Sequence, residues 1–190
     1  MASAIDYLPI ISAVAICAAR LAEIGTKRDT LRGAVKEHLT LLLFLLVGMF
    51  MVVGSIIEYW LRGHTISWPL FIAGWACAIA SFAIRRSAIA ALGKFWSLHV
   101  EIRDSHQFVQ NGPFRFVRHP TYFSMILELL SMALLLNALW MTLVIPLLFF
   151  PVLIARIRME EAALIEKFGD AYKKYQQTVP ALLPLGRKSP

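Results

Sequence analysis

Two short stretches concentrate the side chains that can do chemistry. In the first, residues 115–122 read Arg-Phe-Val-Arg-His-Pro-Thr-Tyr, so two arginines, a histidine and a tyrosine surround a proline. Proline suits the first turn of a helix, and a helix N-terminus presents unpaired N–H groups and a partial positive charge. Such an end can receive a carboxylate or another anion, or the segment can be an ordinary juxtamembrane anchor of Arg, His and Tyr. The second stretch, Arg156 to Glu161, alternates in charge. Arg156 and Glu160 stand four apart and Arg158 and Glu161 three apart, so each pair can share a helix face. Its arginines either snorkel to headgroups or serve a site. Glu128 lies among apolar residues, where an ionisable group is expensive. It either hydrogen-bonds in protonated form to a neighbouring helix or lines a substrate pocket. His99 and His106, seven apart, share a helix face or are solvated. No Cys/His cluster has zinc spacing, no Gly-rich loop cradles phosphates and no Gly-x-Ser-x-Gly elbow occurs, so no metal site is expected.

The elements that must position these residues are membrane helices. Of the 190 residues, 58% are hydrophobic and 16% charged, with a mean hydropathy of +0.65. A soluble domain is nearer 45–50% apolar and about 25% charged. The excess is gathered into five runs, about 7–22, 39–61, 68–84, 122–136 and 139–157. A span takes about 20 residues, so the first and fourth must borrow interfacial residues or sit in thinned bilayer. Residues 137–138 leave room only for the tip of a tight helical hairpin. The N-terminus lacks the basic flank and cleavage site of a signal peptide, so the first run is expected to be retained. Cys17 and Cys77 fall inside apolar runs and read as small buried hydrophobes.

Basic residues set the orientation. Of 19 Lys and Arg, 18 fall on one side of a five-span arrangement, the exception being Arg62. The positive-inside rule then puts the N-terminus outside and the C-terminus in the cytoplasm. The net charge of +7 suits anionic lipid headgroups. Nucleic acid is excluded, because no basic stretch carries interleaved base-stacking aromatics. Segments 85–121 and 158–190 are cytosolic on this reading, and one membrane domain accounts for the whole chain. Within 85–121, Ile89, Leu92, Phe95 and Trp96 give an amphipathic start, and Asn111-Gly112-Pro113 signals a turn. The fifth span is expected to continue as a polar helix from Arg158 to about Gln176, with Leu164, Phe168, Tyr172 and Tyr175 along one face.

Several of these motifs together resemble the isoprenylcysteine carboxyl methyltransferases. They are His106-Gln-Phe-Val109, Gly112-Pro-Phe114, Val117 to Tyr122, Arg156 to Glu161, Leu164, Phe168-Gly169, Tyr172, Tyr175, Val179 and Leu183-Pro184. The resemblance covers roughly residues 92–184 and is shared with phospholipid methyltransferases and, in part, with membrane sterol reductases. It implies an all-α integral membrane protein of five transmembrane helices, with a cytosolic C-terminal region that binds S-adenosylmethionine. A lipid-modified, prenylcysteine-type substrate would enter from the bilayer. The family's cofactor pocket falls on His99, His106, Phe108, Val109, Phe114, His119, Pro120, Thr121, Tyr122 and Glu160, and its substrate-carboxylate arginine on Arg156. His99 stands where some members have glutamine, Phe114 where many have tyrosine and Phe108 where leucine is common. With fewer spans than many eukaryotic members, the chain reads as a prokaryotic one.

The residues agree with carboxyl methylation. A prenylcysteine α-carboxylate, with a pKa of about 3.3–3.7, is ionised at pH 7 and needs no general base. The enzyme has only to hold nucleophile and methyl group in line, with Arg156 orienting the carboxylate and Glu160 holding a polar group of the cofactor. A phospholipid N-methyltransferase on the same scaffold is the alternative, and would want a base such as His119 or Glu128 near the methyl group. An NADPH-dependent sterol-type reductase usually carries more spans, and a non-catalytic scaffold leaves the polar residues unexplained.

Overall fold

In hydrocarbon every backbone N–H and C=O must find its partner within the segment, so long apolar runs fold as helices. A computed structural model describes residues 4–26, 34–35, 39–96, 101–102 and 108–183. The helices are α1 (Leu8–Gly25), α2 (Leu39–Leu61), α3 (Trp68–Leu92), α4 (Pro120–Leu135), α5 (Leu139–Phe168) and α6 (Asp170–Thr178). Short 3-10 turns occupy Ala4–Tyr7, Gly93–Phe95 and Gly112–Arg115. The only sheet among the described residues is a two-residue antiparallel pair, β1 (Ala34–Val35) with β2 (Glu101–Ile102), in which Ala34 faces Ile102.

Four helical segments, Ala4–Gly25, Leu42–Leu61, Trp68–Phe95 and Leu139–Phe168, are long and apolar enough to cross a bilayer. Only 22–28% of each apolar window is buried within the protein. The outward face carries residues such as Ile72, Trp140 and Leu147, a surface suited to lipid. The chain is thus an integral membrane protein whose described residues are, apart from that short pair, built from helices and turns. Its fifth apolar helix, α4, has 16 residues. At 1.5 Å per residue that is about 24 Å, shorter than the roughly 30 Å hydrocarbon core.

α3 and α4 make the closest helix pair. A Cβ placed on Gly74 would stand 2.7 Å from Leu135 Cγ and 2.8 Å from the Leu135 backbone nitrogen. Only glycine lets the backbones approach so closely, as small residues do at membrane helix interfaces. Further along the seam the Ser81 hydroxyl donates to the Ser124 carbonyl at 2.7 Å, and Ala78 and Ala88 are fully enclosed. One apolar core joins α1, α3 and α4 around Ile16, Ala78, Met132 and Leu135. A second joins α2, α4 and α5 around Phe44, Met51, Leu129, Phe149 and Leu153.

Two expectations about helix ends need correction. The third helix does not stop at Arg85-Arg86 but runs to Leu92, because Arg85 turns into the bundle and pairs with Glu128. The helix after the fifth span does not continue unbroken to Gln176. It ends at Phe168, where Gly169 takes φ +55° and ψ −130°, a conformation that glycine alone adopts without strain, and α6 starts anew. Glu58 is buried, and its carboxylate accepts from the Trp140 and Met141 backbone N–H groups at 2.9 and 3.0 Å. It thereby caps the N-terminus of α5 from α2 and secures the α4–α5 hairpin, whose tip is Asn137 at φ +50°.

Candidate active site

At the start of α4 the chain turns abruptly, and the strand of backbone that follows α6 closes over the turn. Arg118 N–H donates to the Pro180 carbonyl and His119 N–H to the Ala181 carbonyl, both at 2.9 Å. The Arg118 side chain completes the closure, donating to the Gln176 carbonyl at 2.9 Å and to the Val179 carbonyl. These bonds hold the last turn of α6 and residues 179–181 against the His119-Pro120 corner.

Two carboxylates on the polar extension of α5, beyond its apolar stretch, meet this corner. Glu161 accepts from Arg118 Nε at 2.8 Å, His119 Nε2 at 2.9 Å and Gln176 Nε2 at 2.9 Å. Burial pushes its carboxyl up, but hydrogen bonds from His119 and Arg118 outweigh that and hold it at about 2. Glu160 accepts the Tyr122 hydroxyl at 2.7 Å. The same hydroxyl accepts from Arg156 Nε at 3.0 Å, and the Tyr122 ring stacks on that of His119. Arg156 also donates from Nη1 to the Thr40 hydroxyl at 2.8 Å, and its guanidinium lies 5.5 Å from the centre of the Phe44 ring. Only 3% of Arg156 is exposed, so it is not an arginine reaching for headgroups.

An aromatic wall stands beside these charges. Phe108 packs edge-on against Phe168 and Tyr172 and lies 5.8 Å from Tyr175. The Tyr175 hydroxyl donates to the Phe114 carbonyl, and burial pushes it up to about 12 against the pull of Arg118. A cleft of about 630 Å³ opens between residues 91–95, at the end of α3, and residues 108–111.

Most of the predicted residues converge here. Tyr122, Glu160 and Arg156 form one hydrogen-bonded chain, and His119 stacks on it at Tyr122 with Nδ1 3.8 Å from Glu160. Pro120 and Thr121 make the first turn of α4, Phe114 is tied to Tyr175, and Phe108 and Val109 line the cleft. His99 and His106 lie outside the described residues. Glu128 is not part of the chain of contacts. It sits two turns along α4, pairing with Arg85 Nη2 at 2.6 Å and Arg20 Nε at 3.4 Å, while Arg20 also binds Glu23 at 2.5 Å. Arg158 is exposed, and Glu161 turns instead to Arg118 and His119. The sequence reading left Thr40, Phe44 and Gln176 out of the site, and gave Arg118 and Glu161 only as members of their motifs. The Arg118-His119 pair facing Glu160-Glu161 had a sequence signal in its complementary charge. Thr40 had only its polarity at the head of an apolar run.

Comparison with known proteins points one way. Residues 74–166 match the sequence profile of the isoprenylcysteine carboxyl methyltransferase (ICMT) family. The chain is similar to the protein-S-isoprenylcysteine O-methyltransferase of Schizosaccharomyces pombe, with 34% identity over 104 residues, 54% of this chain and 44% of that one. An uncharacterized protein of Bacillus subtilis is 35% identical over 101 residues, covering 53% and 58%. The protein-S-isoprenylcysteine O-methyltransferase of Dictyostelium discoideum is 27% identical over 143 residues, covering 68% and 57%. The chain thus spans about half the length of these relatives. The resemblance read from the motifs is borne out, and the matched segment contains the whole of α4 and the Arg156–Glu161 stretch.

Proposed function

We infer that this chain, whose residues 74–166 carry the sequence pattern of the ICMT family, is a membrane methyltransferase. It uses S-adenosylmethionine to esterify the carboxylate of a prenylcysteine or a similar lipid-linked acceptor. The observation that carries this reading is Arg156, a buried arginine held in place from α2 and α4 at the inner end of an apolar helix. A planar guanidinium fixed in this way is suited to receive an acceptor carboxylate in a two-point hold.

The amine-methylating alternative needs a base at the methyl group. Glu128 is paired with two arginines away from this corner, while His119 turns Nε2 to Glu161 and would have to act through Nδ1. A carboxylate acceptor arrives already ionised and asks for neither. The protein's task is then to bind, orient and exclude water.

The residues around the corner fit the cofactor's chemistry. S-adenosylmethionine supplies, when bound, an activated methyl group on a cationic sulfonium. Glu160, with about a third of its side chain exposed, offers a carboxylate to an ammonium or hydroxyl group. Phe108 and Val109 line a cleft of a size ordinary for small-molecule sites. Phe114, His119, Pro120, Thr121 and Tyr122, with His99 and His106, are assigned to the cofactor by resemblance. With five spans, the N-terminus outside and the C-terminus cytoplasmic, this pocket faces the cytosol while the acceptor's lipid stays in the bilayer. Anionic headgroups would meet the basic inner surface.

Calorimetry on detergent-purified protein tests the cofactor assignment. S-adenosylmethionine should bind and NADPH should not. Glu160→Ala and His119→Ala should each weaken binding by roughly ten- to hundredfold, the loss of one charge-assisted contact of about 1.5–3 kcal/mol. Binding of NADPH in place of S-adenosylmethionine, or unchanged affinity in both variants, would contradict it.

A further inference from the structure

The most apolar helix of the molecule reaches into the site through its first two turns. Thr40 is the second residue of α2 and is 7% exposed, although the residues that follow it are almost all lipid-suited. Its hydroxyl oxygen accepts from Arg156 Nη1 at 2.8 Å across a separation of 116 residues. Phe44, one turn later and on the same face, lies under the guanidinium and also packs against Tyr122 and Phe149.

We propose that the start of α2 belongs to the catalytic apparatus, with Thr40 a positioning residue that, backed by the Phe44 ring, fixes the guanidinium plane of Arg156 for the acceptor carboxylate. The inference rests on the function proposed above and adds a third helix to it. One hydrogen bond, from Nε to Tyr122 on α4, leaves the guanidinium able to turn about that bond. A second, from Nη1 to α2, defines its plane, because the two nitrogens sit at fixed angles on one rigid fork. The Tyr122 and Thr40 acceptors are neutral hydroxyls, which set direction by geometry. A ring beneath the cation restrains the remaining tilt. Orientation of this kind governs whether an attacking oxygen lies in line with a methyl group, and small misplacements there are costly in rate.

The experiment compares Thr40→Val, which keeps the volume and removes the hydroxyl, with Thr40→Ser, which keeps the hydroxyl. With a minimal prenylcysteine as acceptor, Thr40→Val should lower kcat/KM about ten- to hundredfold. Its affinity for S-adenosylmethionine should stay within about twofold of wild type, and Thr40→Ser should recover most of the activity. A purely structural role would shift cofactor affinity and acceptor kinetics together, with no rescue by serine. That result, or wild-type kcat/KM in Thr40→Val, overturns the proposal. A second readout does not depend on the reaction. In protein labelled with 15N-arginine, the Arg156 guanidinium resonance, identified by its loss in Arg156→Lys, should shift in Thr40→Val and not in Thr40→Ser. An unmoved resonance also overturns the proposal. A wild-type protein that esterifies no prenylcysteine contradicts the parent reading alone, and the resonance then decides the role of Thr40.

Discussion

One phenol joins two charges that the sequence places on a single helix. Arg156 and Glu160 are four apart on α5, and the Tyr122 hydroxyl links them, donating to Glu160 and accepting from Arg156. The charged and aromatic residue types were legible in the sequence, but their partners were not. Partner choice follows from how helices some 40 residues apart come together, and local spacing carries no information about that. Glu161 shows the same limit. Spacing offered Arg158, while the folded chain supplies Arg118, His119 and Gln176. Its consequence is a dependence on acid. Because the Glu161 carboxyl is held at about 2 rather than its usual 4.5, its contribution to docking α6 is fully present above pH 4.5 and is lost as pH falls toward 2. Thermal unfolding in detergent, followed from about pH 6 to about pH 3, should show the midpoint falling with acid. Glu161→Gln should start lower and fall less steeply. An equally steep fall in the variant would show that Glu161 does not carry this linkage.

Among the helices, those with the longest apolar runs were the easiest to read, and their ends the hardest. Arg85 looked like a stop because two arginines usually mark the edge of a bilayer. Glu128 on α4 instead gives it a partner inside the bundle, and α3 continues for two further turns. Gly169 was visible as a residue, yet helical periodicity continued through it to Tyr172 and Tyr175, so only the backbone reveals the break. The α3–α4 seam likewise depends on Gly74, which nothing in the sequence separates from the glycines that merely sit in helices. The comparison with Gly48 isolates that role. An added Cβ at Gly74 meets the Leu135 backbone at 2.8 Å, whereas at Gly48 it meets nothing within 4 Å. Gly74→Ala should therefore destabilise the detergent-solubilised protein by about 1–3 kcal/mol. Gly48→Ala should be neutral or stabilising by up to about 1 kcal/mol, the helix propensity difference. Equal melting temperatures for the two variants would show that the close approach at Gly74 does not matter.

Across the whole molecule, apolar runs, charge asymmetry and motif order carry the reading from membrane protein to methyltransferase. Which helices reach the site was hidden, and α2 is the clearest case. The proposed five-span topology follows from 18 of 19 basic residues falling on one side. A reporter fused after Pro190 should be active only in the cytoplasm, and one inserted at 62–67 only outside; the reverse pattern would overturn it. The central claim is transfer of a methyl group to a lipid-linked carboxylate oriented by Arg156. It is tested most directly by supplying S-adenosylmethionine labelled in its methyl group with either a minimal prenylcysteine or its amide, which keeps the lipid and removes the nucleophile. A base-labile methyl ester should form on the acid, no label should appear on the amide, and the ester should be lost in Arg156→Ala with cofactor affinity retained. Label on the amide, or ester formation undiminished in Arg156→Ala, would contradict it.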